Sequence, residues 1–112
     1  MPHAFLLAAA LFTHHTAPAC TAVEGWNAGR TGQVAISDCN AADYREGHRL
    51  GEALHQLKTE RDGIDPRLAS VKAAEQSALR RRQRQIDTDL EAIRGVATIR
   101  GWPLDIKPEI TP

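Results

Sequence analysis

Aromatic side chains are scarce in this chain: two tryptophans, two phenylalanines and one tyrosine in 112 residues, 4% of the total. A core drawn from that composition is aliphatic and thin. A chain of one small domain's length also buries only a modest share of its surface, so a covalent staple or a partner is expected. Net charge is absent as well. Fourteen Lys and Arg balance fourteen Asp and Glu, which argues against a protein made chiefly to coat nucleic acid or an anionic membrane. Chemical motifs are missing too: there is no Gly-rich phosphate loop, nucleophile elbow, H-E-x-x-H pattern or CxxC pair. Ser37 and Asp38 near His48 do not by themselves make a triad. The reading is therefore of a protein that is not an enzyme, with no catalytic residue, no cofactor and no metal.

Charge is missing in one more place. The first nineteen residues contain no Lys, Arg, Asp or Glu, and Ala4 to Phe12, "AFLLAAALF", is continuously apolar. A bilayer span needs about 20 such residues, so this run is too short to cross. It has the length of a signal-peptide core, and Ala17-Pro18-Ala19 offers a small-x-small cleavage site. Residues 1–19 are expected to be a signal peptide and the protein to reside in the periplasm or cell envelope. A buried helix of the folded domain is the competing reading, since no basic residue precedes the run.

What the chain does hold begins with two cysteines, Cys20 and Cys39. In an oxidising compartment they could pair, closing a loop of about 20 residues for roughly 3 kcal/mol. Alternatively Cys20, the first residue after the cleavage site, carries the lipid anchor of a bacterial lipoprotein, although the usual Leu three residues earlier is lacking. A lipidated Cys20 leaves Cys39 free, so the two outcomes exclude each other in one molecule.

Residues 20–40 contain three glycines and no helical period, and read as an irregular lead-in with a short extended piece at Gln33–Ser37. Asn40 resembles a helix N-cap, with Asp43 near the exposed N–H groups. From Ala41 to about Asp62, Leu50, Leu54 and Leu57 recur at helical spacing. "DGIDP" breaks the pattern: Gly63 favours reversal, and Asp65-Pro66 reads as an N-cap with proline in the first turn. A second helix is expected from there to about Arg94, with Leu79, Ile86, Leu90 and Ile93 on one stripe that Lys72, Glu75 and Arg82 interrupt. Residues 101–112 hold three prolines and read as an extended tail from which Trp102 docks. The predicted fold is all-α, an antiparallel, coiled-coil-like two-helix hairpin over residues 41–100. One long coiled coil kinked at Pro66 is the alternative.

Three groups of residues carry the functional reading. His48, Glu52 and His55 share a helix face opposite the leucines, together with Arg45 and Thr59. We read it as a solvated face, with a periplasmic small-ligand or metal-binding module as the alternative function. Gly47 and Gly51 make a small-xxx-small pair, with Tyr44 one turn earlier. Each glycine costs a helix about 1 kcal/mol relative to alanine, so close packing of a neighbour is expected there. The basic run Arg80, Arg81, Arg82 and Arg84 reads as a solvated patch, or as a contact for an anionic membrane surface or an acidic partner rather than nucleic acid. Arg84 and Asp87 are spaced to pair. Because a hairpin would leave the stripe from Ile86 through Leu90 to Ile93 uncovered, a homodimer or a complex with another envelope protein is expected.

The stretch "DCNAADYREGHRLGEALHQLKTERDGID" is similar to the closing part of the domain of unknown function 2799 family, whose members are mostly proteobacterial and described as envelope lipoproteins. Cys39, Tyr44, Gly47 and the leucine-rich helix carry the resemblance, with "WNAGRTGQVAISDC" as the glycine-containing approach. It covers roughly residues 26–65. It implies an envelope protein; the family has no established activity, so the resemblance brings no catalytic residue with it.

Overall fold

The computed structural model describes residues 20–104. The expected signal peptide and the last eight residues of the tail lie outside the described residues. Within them the fold is all-helical: α1 is Ala22–Arg30, α2 is Ala42–Leu68 and α3 is Ala73–Arg100.

The first helix corrects the reading of residues 20–40 as irregular. Thr21 Oγ1 accepts from the Glu24 N–H at 3.2 Å, and Glu24 Oε1 accepts from the Thr21 N–H at 3.1 Å. This reciprocal capping box satisfies two N–H groups that a helix start otherwise leaves bare. Arg30 sits in the last turn, where a cation suits the helix dipole. Gly32, with φ of +80°, then turns the chain back, and residues 33–36 return without forming a strand.

The boundaries of the longer helices also differ from those expected. The N-cap of α2 is Ala41, not Asn40, and α2 runs through Gly63 and Pro66 to Leu68. Pro66 removes one backbone hydrogen bond, but Ile64 is 3% exposed and Leu68 packs on the same core. Burial of these two side chains carries the helix past its local stop signals. The reversal falls instead at residues 69–72, where Gln76 Nε2 reaches back to the Leu68 carbonyl at 2.9 Å. α3 likewise continues through Gly95, because Ala97 is fully buried, and stops at Gly101, whose φ of +75° makes a left-handed cap.

α2 and α3 run antiparallel. Glu46 pairs with Arg100, Glu60 with Arg82 and Arg61 with Asp87, so the start of α2 lies beside the end of α3 and the later part of α2 beside the middle of α3. α1 lies parallel to the first third of α2, and the chain between them closes through a disulfide joining Cys20 to Cys39, with Cα atoms 5.2 Å apart. α1 and α3 both pack on α2 and not on each other's backbone.

The core joins all three helices: Trp26 from α1, Leu54 and Ile64 from α2, Ile86, Leu90 and Ala97 from α3, and Trp102 beyond it. The apolar stripe of α3 is therefore not left uncovered, as a bare hairpin would leave it. Ile86 is fully buried and Leu90 is 3% exposed. Leu90 is a core residue, so it offers no interface to a second chain. Trp102 docks on Trp26, with ring centroids 5.3 Å apart, and the Trp26 indole N–H donates to the Pro103 carbonyl.

Candidate functional site

Where α1 crosses α2 the two backbones approach closely, and the crossing is built from four glycines. A Cβ on Gly47 would run into the Ala22 carbonyl and stand 3.0 Å from Trp26 N; one on Gly51 would meet the Trp26 carbonyl and stand 2.7 Å from Arg30 N. The relation is reciprocal. A Cβ on Gly25 would meet the Tyr44 carbonyl, and one on Gly29 would stand 2.6 Å from Glu52 N. Two small-xxx-small faces thus bring two backbones together where no side chain fits. The neighbour that Gly47 and Gly51 accommodate is α1 of the same chain, so this notch is not open to another molecule.

Around the crossing, buried polar groups latch the returning segment. Tyr44 is fully buried, and its hydroxyl accepts from the Ile36 N–H at 3.1 Å. His48 is 8% exposed, lies against the Tyr44 ring, and its Nε2 donates to the Gln33 carbonyl at 2.8 Å. This corrects the reading of His48 as solvent-facing. The face opposite the leucines is wet only if nothing covers it, and α1 with its return segment does so. Glu52 is exposed, while His55 is half-buried beneath Gly32. The three residues therefore do not converge. Among the described residues, no group of three or more His, Cys, Asp or Glu is placed to hold a metal.

The cysteines resolve to the disulfide. With both sulfurs in that bond, Cys20 has no thiol to carry a lipid, and lipidation is not what this structure holds. Cys39 is 3% exposed, tucked against the start of α2.

The basic run divides. Arg82 grips Glu60 through two hydrogen bonds of 2.6 and 2.7 Å, so it belongs to the α2–α3 seam rather than to a contact patch. Arg80, Arg81 and Arg84 are exposed. The expected Arg84–Asp87 pair does not form, because Asp87 reaches across to Arg61 at 2.6 Å. Hydrogen bonding to Arg100, and the charge of that guanidinium, hold the Glu46 carboxyl below its ordinary value. The hydrogen bond from Arg82 does the same for Glu60. Both pairs are exposed, so solvent screens them.

Shallow clefts mark the surface of the described residues. One, of about 260 Å³, lies along the α2–α3 seam between Lys58, Arg61, Asp62, Asp87, Leu90 and Arg94. Its Arg61 and Asp87 are committed to each other. Another, of about 380 Å³, lies beside α1 and includes Asn27, Arg30 and Ile36. Among the described residues, no helix is long and apolar enough to cross a membrane.

Sequence reasoning missed α1, and with it Trp26, Gly25 and Gly29. Two signals could have found them. Thr21-Ala22-Val23-Glu24 has capping-box spacing, and Gly25-x-x-x-Gly29 repeats the spacing of Gly47-x-x-x-Gly51. No family model, curated protein or solved structure matches the chain.

Proposed function

We propose that this is an exported cell-envelope protein, a non-enzymatic structural or protein-interaction module of the domain of unknown function 2799 type. The observation that carries the reading is the Cys20–Cys39 disulfide. Such bonds persist in oxidising compartments and are rare where glutathione and thioredoxin keep thiols reduced. This one follows directly on an apolar, uncharged stretch with signal-peptide length and a small-x-small site. Residues that carry the family resemblance, Cys39, Tyr44 and Gly47, all sit at the α1–α2 crossing, where they fix the fold. The polar groups buried there hold backbone in place. That is the work of a scaffold, and the module's exposed helix face is what it offers to partners. The ligand-binding alternative on His48, Glu52 and His55 is not carried forward, because His48 points inward and its ring is engaged.

The experiment is a fusion of residues 1–25 to a reporter enzyme that becomes active only after disulfide formation outside the cytoplasm. Activity comparable to that given by an established signal peptide is the expected result. An inactive reporter accumulating in the cytoplasm would sink the export reading.

A further inference from the structure

Of the two long helices, α3 is the one with an open flank. Among the described helices its backbone lies against that of α2 alone, and no described element covers the side turned away from α2, along about 42 Å at 1.5 Å per residue. At about 100° per residue that side carries Ser77, Arg81, Arg84, Thr88, Gly95 and Ile99, all of them exposed. Ile99 is 87% exposed. A Cβ built on Gly95 would meet nothing within 4 Å, in contrast to the glycines of the α1–α2 crossing. Thr88 donates its hydroxyl to the Arg84 carbonyl at 3.1 Å, which leaves its methyl group facing out.

Charge on this side is segregated along the helix. Arg80 and Arg84 lie in the first half and Glu91 in the second, on the same flank, and none of the three pairs with a described residue. Arg81 adds a third positive charge to the first half of this side, while Arg82, Asp87 and Arg100 are engaged inside the chain with Glu60, Arg61 and Glu46. A helix face that is positive at one end and negative at the other is complemented by the same face running the opposite way.

We propose that the outer face of α3 binds a second copy of this chain, antiparallel, about a twofold axis. With residues 86 and 87 level across the axis, Glu91 of one copy lies between Arg80 and Arg84 of the other. Gly95 then faces Ser77, and Ile99 covers Ala74. An isologous contact of this kind closes as a dimer, with Ser77 and Gly95 on either side of the axis permitting close approach and ion pairs at the flank fixing register. An anionic lipid surface suits the face less well, because it would repel Glu91 on the same flank. The inference rests on the interaction half of the proposed function and names the partner. The export half is judged separately by the reporter fusion, so the two fail independently.

Sedimentation equilibrium of the oxidised chain tests it. The expected result is a dimer at micromolar concentration that loosens as salt screens the flanking pairs. Glu91→Arg and the double variant Arg80→Glu/Arg84→Glu should each weaken self-association at least about tenfold, a difference of about 1.4 kcal/mol. Helicity by circular dichroism should stay unchanged, since all three sites are exposed. Mixing the two variants should restore a dimer containing one of each. A wild-type chain that stays monomeric would overturn the proposal. So would variants that dimerise as well as wild type, or a mixture that fails to recover. Arginine-dependent co-sedimentation of a monomer with anionic vesicles would assign the face to lipid instead and equally overturn it.

Discussion

Trp26 on α1 and Trp102 beyond α3 stack with ring centroids 5.3 Å apart and planes inclined by 30°. These two residues tie the first helix to the segment after the last, although the backbones of α1 and α3 do not touch. Arg100 adds to the contact, its guanidinium carbon 5.1 Å from the Trp102 ring centroid. In a chain so poor in aromatics, this pair supplies much of the core's bulk.

Replacing Trp102 with Ala should therefore cost about 3–5 kcal/mol, as expected for emptying a large buried aromatic site. Denaturant unfolding followed by circular dichroism checks the loss. The emission of the remaining Trp26 should shift to the red as water reaches it. An unshifted spectrum together with a change under about 1 kcal/mol would show that the two rings do not share a core.

The glycines make opposite predictions on one helix. Gly51→Ala forces a methyl group against the Trp26 carbonyl and 2.7 Å from Arg30 N, and should destabilise by about 1–3 kcal/mol, as overpacking does. Gly63→Ala meets nothing within 4 Å inside the same helix, and should stabilise by about 0.5–1 kcal/mol through helix propensity. Thermal melts of the two variants should move in opposite directions. Equal shifts of one sign would contradict the backbone crossing.

Those glycines also explain what the sequence concealed. Two glycines in the nine residues of α1 remove helix propensity where a propensity-based reading looks for it, and the compensating contact lies on another helix. Only the matched spacing in α1 and α2 betrays it. The face of α2 bearing His48 was misread for the same reason: the leucine stripe identifies one buried side, and the second becomes visible only once α1 is placed. Asp65-Pro66 and Gly95 are genuine local stop signals overridden by burial of Ile64 and Ala97. By contrast the helical character of residues 42–62 and the docking of Trp102 followed from residue type and spacing alone, whereas the two cysteines left a disulfide and a lipidated Cys20 both open until the fold brought Cys20 and Cys39 together. The open face of α3 was hidden behind the reading of Arg80 to Arg84 as one patch. Arg82 belongs to the interior seam, and only its removal exposes the charge pattern of the others.

The ion pairs predict the acid response. Glu46 and Glu60 both have folded pKa values lowered by their arginine partners, below an ordinary 4.5. Their contribution to stability is therefore present above about pH 4.5 and is lost as the pH falls through the lowered folded values. Glu46→Gln and Glu60→Gln should each flatten the stability profile below pH 4.5 relative to the parent, while leaving the protein folded at pH 7. A double variant whose acid profile matches the parent would show that these pairs do not set it.

The central claim is that this chain works outside the cytoplasm as a helical module closed by the Cys20–Cys39 bond. Intact-mass spectrometry of the protein recovered from its native host, alkylated before any reductant is added, tests that claim most directly. The expected result is a chain beginning at Cys20, found in the envelope fraction, with neither cysteine alkylated and no added lipid. A cytoplasmic chain with both thiols alkylated, or one carrying acyl mass on Cys20, would contradict it.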